Sequence, residues 1–283
     1  MSLVKPKNIE ENLLFLLKRG PQKCLVLVTK IKEIRPQTTK QAVYAALRML
    51  NTEQNIVIAK GVASLNLSWL NEMTNFLESA KHSHTGNLGN GNFLELEDKE
   101  RIKYYFQTSE KTDIFWTHAY YLMIEQLKEG EPAFLYNPHE WFMLGRSHNE
   151  KALLQATVQR NIPFLMTVSG NTPLDKYVSS NFDGTKSQYN MLTKPMFKEN
   201  NYYLNIFGDF LIEVWLDKEI ADEVENLHQT ATSFDEGANA KIQKLLARRG
   251  RMRLVISRNH KKATRLKKVL AKDFAINQKI AIS

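Results

Sequence analysis

Residues 24–67 break into two helix-length segments and two short β-prone runs, and this order constrains the chain more than anything else in it. The first segment, Cys24 to Ile34, stops ahead of Arg35-Pro36-Gln37, because proline pushes the residue before it out of the helical region. Thr38 or Thr39 is placed to cap the next segment by accepting hydrogen bonds from its first amides. In that segment Ala42, Val43, Ala46, Leu47 and Leu50 recur at the spacing of one buried helical face. Gln41, Tyr44 and Arg48 fall largely off this stripe, and Lys40 sits in the first turn. Asn55 to Gly61 and Val62 to Leu67 then read as two strands joined at Lys60-Gly61, where glycine supplies the positive φ of a tight hairpin. Ser68 is placed to cap a further helix, Trp69 to about Leu77.

Helix, helix, helix, hairpin, helix is an order that resembles winged-helix transcription regulators, including those of the PadR type. Gln41 to Leu50, with Val43, Tyr44, Leu47 and Leu50, carries most of the resemblance, and Lys60-Gly61 adds to it. The resemblance covers roughly the first quarter of the chain. It implies double-stranded DNA as partner, with the start of the helix from Thr39 to Leu50 in the major groove. Thr38, Thr39, Lys40, Gln41, Tyr44 and Arg48 would then face phosphates and base edges, and Lys60 at the hairpin tip a phosphate. The alternative is a small helical domain over residues 10–77 that touches no nucleic acid.

At 283 residues the chain has room for two ordinary domains. Its single cysteine, Cys24, lies in an apolar run and excludes an intrachain disulfide framework, which fits a reducing cytosol. No apolar run has membrane-spanning length, and the N-terminus lacks the apolar core of a signal peptide, so a cytoplasmic protein that contacts no membrane is expected. The net charge of +9 is uneven. Residues 1–80 carry 11 basic and 6 acidic side chains, residues 81–240 carry 14 and 23, and residues 241–283 carry 14 and 1. The basic ends suit phosphate binding. The basic C-terminal segment is equally readable as a solvated face that pairs with the acidic middle. Its apolar residues Ala263, Leu266, Val269, Leu270 and Phe274 are spaced to bury one helical side.

The expected fold is α+β: a winged helix-turn-helix over residues 1–81, a loop over 82–93, and a larger mixed α/β domain over 94–283 for effector binding or dimerisation. The loop expectation rests on the Gly/Asn-rich run from His82 to Asn92; His82 and His84 have no further ligand types nearby to make a metal site. Beyond it, strands are expected at 101–108, 134–136, 140–144, 163–169 and 252–257. A hairpin is expected at 202–216 around Gly208-Asp209. Helices are expected from Thr112 to Leu127, Asn149 to Arg160, about 218–231, 237–249 and 261–274. The stretch Tyr203 to Asp217 is loosely similar to effector domains of archaeal sugar-sensing winged-helix regulators, which are related in shape to phospholipase-D-type folds.

No constellation for catalysis emerges. His260-Lys261-Lys262 is similar to the His-x-Lys of phospholipase-D-type nucleases, but Lys267 stands where their acid would be. His139 and Glu140 are adjacent, and on a strand they face opposite sides, so they cannot share a metal. Zinc, phosphate-loop and nucleophile-elbow patterns are absent. No enzyme activity, metal or cofactor is therefore expected. His139, Trp141, Arg146, Asp175, Trp215 and Arg258 lie near strand ends and are candidates to line a pocket for a small anionic or polar effector. The function expected is a homodimeric, DNA-binding transcription regulator. The alternative is an antitoxin-like or defence-system protein that uses the large domain for a protein partner.

Overall fold

A computed structural model describes residues 6–86 and 93–276. The chain divides into two compact units, Met1–Leu88 and Gly89–Ser283. Both helices and sheets are present, so the chain is α+β.

The first unit contains α1 (Ile9–Leu17), β1 (Gln22–Lys23), α2 (Cys24–Ile34), α3 (Lys40–Thr52), β2 (Ile56–Ala59), β3 (Val62–Leu65) and α4 (Leu67–Gly86). Thr39, not Thr38, caps α3, its side chain accepting from the Ala42 amide at 3.2 Å. Val43, Ala46, Leu47 and Leu50 of α3 pack with Leu13 and Leu17 of α1 and Leu27 and Ile31 of α2. Cys24 is buried with a free thiol. The strands form a three-stranded antiparallel sheet, β1-β3-β2. Lys60 and Gly61 have φ of 51° and 74°, the two consecutive positive values of a type I′ turn. The expected loop from residue 82 does not begin there. Helix α4 continues through 82–86, because Glu78, Ser79, Ala80 and Lys81 propagate it and no breaker occurs before Gly86. Residues 87–92 of that loop, and the side chains of His82 and His84, lie outside the described residues.

The second unit opens with a 3-10 turn at Phe93–Glu95 and continues with β4 (Arg101–Thr108), α5 (Ser109–Ile124), β5 (Ala133–Asn137), α6 (Trp141–Gly145) and α7 (Ser147–Gln159). Then come β6 (Phe164–Val168), α8 (Pro173–Ser179), β7 (Ser187–Met191), β8 (Tyr202–Phe207), β9 (Phe210–Trp215), α9 (Lys218–Thr230) and α10 (Glu236–Ala247). Strand β10 (Arg249–Arg258), α11 (His260–Leu270) and a 3-10 turn at Ala271–Asp273 follow. One seven-stranded sheet has the order β4-β10-β9-β8-β5-β6-β7. Only β5-β6 and β6-β7 pair in parallel; the rest of the sheet is antiparallel. Helix α11 lays Ala263, Leu266 and Leu270 on a core made with Leu204, Leu211, Phe134 and Leu165, and Phe274 joins it. Val269 departs from expectation: it is exposed, because at about 100° per residue it falls to one side of the stripe that Ala263, Leu266 and Leu270 share.

The expected strand at 140–144 is instead helix α6. Pro138 ends β5, and the Glu140 side chain caps the new helix by accepting from the Met143 amide at 3.0 Å. This change of direction turns His139 inward.

Candidate functional site

The C-terminal ends of the parallel strands β5 and β6 are where open α/β sheets place ligands, since the chain leaves the sheet there on separate connections. Here they carry a buried cluster. His139 follows the end of β5. Gly170 follows β6. Asp175 stands at the third position of α8, and Glu225 and His228 lie on α9.

Asp175 is held by its own helix start. Thr172 caps α8, Pro173 sits in its first turn, and Thr172 and Asp175 form a reciprocal capping box. Asp175 Oδ2 accepts from the Thr172 amide at 2.9 Å and from Thr172 Oγ1 at 2.7 Å. Oδ1 is thereby turned to the histidines: 2.9 Å from His139 Nδ1 and 3.4 Å from His228 Nδ1. The second nitrogen of His139, Nε2, lies 3.1 Å from Glu225 Oε2. Both His139 partners are carboxylates that can only accept, so the ring carries both protons and donates twice. The His139 and His228 rings stack, with centroids 3.9 Å apart. His228 Nδ1 also lies 3.3 Å from Thr172 Oγ1, whereas its buried Nε2 has no hydrogen-bond partner. Gly170 makes the approach possible, because a Cβ there would overlap Asp175 Oδ2 and the His139 ring.

Charge follows this geometry. Burial pushes the His139 imidazolium down, but the Asp175 and Glu225 carboxylates outweigh it and hold the group up at about 9. Burial pushes Asp175 up, and its hydrogen bonds with His139 and His228 overcome this and hold the carboxyl far below the usual range. The hydrogen bond from His139 holds Glu225 down at about 2. His228 is held below its ordinary value, first by burial.

A second group of acids lies next to the cluster. A cavity of about 30 Å³ is lined by Asp113, Trp116, Tyr120, Asn137, Glu140 and Glu150 among others. It has room for water and not for an organic effector, whose pockets run to about 300–1,000 Å³. Burial lifts Asp113 to about 6, with the Arg146 guanidinium opposing, and lifts Glu140 to about 7. Glu150 is raised by burial as well.

Stability should therefore fall with rising pH above about 6.5. His139 is raised from 6.5 to about 9, so its contribution is complete below about 6.5 and lost as pH climbs through about 9. Asp113 and Glu140, raised to about 6 and 7, lose their protons and burden the fold in the range just below that. Depressed Asp175 and Glu225 act at the other end, their contribution disappearing as pH falls below about 4. His228, held below its ordinary value by burial, likewise contributes less below about 6.5. Thermal melts of the full chain should show a decline of about 2–3 kcal/mol between pH 6.5 and 9, and His139→Gln should flatten it. A melting temperature that rises across that interval would contradict the charge assignment.

Of the six residues expected to share a pocket, His139 and Asp175 meet, and the other four do not join them. Trp141 is fully buried and donates its Nε1–H to Tyr203 Oη at 3.1 Å. Arg146 is ion-paired with Asp113. Trp215 lies under the Arg253 guanidinium, 4.0 Å from the ring centroid, in an open groove beside Tyr105. Arg258 donates to the Leu96 carbonyl at 3.2 Å and covers the Phe210 ring. Their common feature, nearness to strand ends, does not bring them together because β9 and β10 lie on one side of β8 and β5 and β6 on the other. Glu225 and His228 were missed. Their i, i+3 spacing on an amphipathic helix puts them on one side, a signal indistinguishable from ordinary helix patterning. His260 pairs with Asp209 at 2.8 Å and stays exposed, and Lys262 pairs with Glu213 at 2.7 Å.

In the first unit, Lys40, Gln41, Arg48 and Lys60 are exposed, as is Thr39, whose hydroxyl is used for capping. Thr38 is half-buried. Tyr44 is half-buried against the core, with the Lys40 ammonium 5.9 Å from its ring centroid. No model of a known protein family matches the chain, and no curated protein matches it. Among the described residues no helix is long and apolar enough to cross a membrane.

Proposed function

We propose that the chain is a cytoplasmic, non-catalytic transcription regulator whose first unit is a winged helix that reads double-stranded DNA and whose second unit holds an effector site. The carrying observation is the capped first turn of α3, which leaves Lys40 and Gln41 exposed, with Arg48 further along the helix. A helix start combines free amides with a favourable field for phosphate, and Gln and Arg match base edges. The hairpin tip adds Lys60. Self-association finds support in α4, which leaves Leu67, Phe76 and Leu77 exposed, more apolar surface than a lone soluble helix needs. A non-catalytic second unit is favoured because His139 has both nitrogens committed to carboxylates and is almost fully buried.

Selection from a random duplex pool, followed by titration of the recovered sequence, tests this reading. Gln41→Ala should weaken the selected duplex by about 1–3 kcal/mol and random duplex far less. Lys60→Ala should weaken both alike and lower the salt slope by about one unit. Recovery of no preferred sequence, or equal loss on both duplexes, would defeat the base-reading role.

A further inference from the structure

We infer that His139, Asp175 and His228 form a binding site for one divalent first-row transition metal ion of the zinc type. The three side chains come from the end of β5, from α8 and from α9, so chain connectivity alone does not bring them together. Their donor atoms lie within 4.8 Å of one another. Zinc bonds to nitrogen and carboxylate oxygen are about 2.0–2.2 Å long, which sets tetrahedral ligands about 3.3 Å apart. Asp175 Oδ1 stands 2.9 Å from His139 Nδ1 and 3.4 Å from His228 Nδ1, close to that separation on both sides.

The outer contacts are those that metal ligands use. A ligating histidine commonly gives its other N–H to a carboxylate, and Glu225 occupies that place on His139 Nε2. The Thr172 amide and hydroxyl hold Asp175 Oδ2, which lies 3.2 Å from His139 Nδ1, while Oδ1 stands nearer that nitrogen and within reach of His228 as well. Two of the three donors are imidazoles, which selects zinc, cobalt, nickel or copper over magnesium and calcium, ions that prefer all-oxygen sites. Binding requires the two rings to open from their stack so that both Nδ1 lone pairs converge on the ion. It also displaces the Nδ1 proton that His139 shares with Asp175, so uptake releases a proton.

The site stands on this geometry; only its role as the effector site rests on the regulator reading. The test uses the full chain after dialysis against a chelator. Titration with cobalt(II) should give one equivalent per chain with visible ligand-field bands, and zinc(II) should displace it. His228→Ala and Asp175→Asn should abolish the bands. Glu225→Gln, at a partly exposed position, should weaken binding about 10–100-fold while leaving one equivalent. Circular dichroism on each variant separates lost binding from lost folding. Should the two ligand variants not fold, the wild-type stoichiometry and the Glu225→Gln shift decide. Absence of cobalt and zinc uptake by wild type, full uptake by His228→Ala, or unchanged affinity in Glu225→Gln would overturn the site. DNA affinity of the metal-free and zinc-loaded protein is measured alongside. Metal uptake without any DNA binding would remove the regulator reading and leave the metal site standing, and the converse holds.

Discussion

Gly170→Ala should destabilise the second unit by about 3 kcal/mol or more, in the range of severe overpacking. One added methyl group would overlap Asp175 Oδ2 and the His139 imidazole at once. Neither neighbour can give way cheaply. Asp175 is locked by the capping box of α8, and His139 is held at both nitrogens. The expected result is a fall in melting temperature of roughly 6–12 °C for a unit of this size, with loss of the His139–Asp175 contact. Because the residue is glycine without a positive φ, the effect would come from crowding and not from backbone strain. Thr172→Ala, which removes the cap hydroxyl but adds no bulk, should cost only about 1 kcal/mol. Similar melting temperatures for Gly170→Ala and wild type would mean that the cluster is looser than its contacts indicate.

Leu266→Asp should cost about 4–5 kcal/mol and collapse the packing of α11. Leu266 is nearly buried in the core cluster with Leu211, Leu204 and Ala263, and the substitution both empties that space and leaves an unpaired charge in it. On the opposite side of the helix, Lys261, Arg265 and Lys268 are exposed. Replacing those three with serine should leave the melting temperature almost unchanged. If they contact DNA flanks, the salt slope should fall by up to three units. The single and the triple variant separate a structural helix from a DNA arm on one element. A stable, soluble Leu266→Asp protein would show that α11 is dispensable to the core.

Local signals in the chain were strong where one element could be read alone. Pro36 marked the end of α2, Thr39 the cap of α3, and Lys60-Gly61 the hairpin turn. The alternation Gly208-Asp209 between two apolar runs located the β8-β9 hairpin. Weak periodicity hid the shorter pieces. Helix α8 has seven residues, and β7 reads Ser-Gln-Tyr-Asn-Met with no apolar run, so neither was expected. Yet Thr172-Pro173-Leu174-Asp175 is a legible helix start, and it was the one available pointer to where Asp175 would sit. The Glu140 stretch misled because Trp-Phe-Met-Leu suits a buried strand or a buried helix equally well; the cap by Glu140 decides for the helix.

What the sequence by itself determined is the longer helices, the two hairpins, and most of the apolar face of α11. These depend on residues within a few positions of one another, where period, caps and breakers act directly. What only the tertiary structure decided is the cluster of His139, Asp175, His228 and Glu225. Asp175 and Glu225 stand 36 and 86 positions after His139, His228 lies one helical turn beyond Glu225, and they meet through strand order and through the packing of α8 against α9. No local pattern encodes such a meeting, because a contact that long-range is fixed by the whole sheet and is visible only once the sheet is closed.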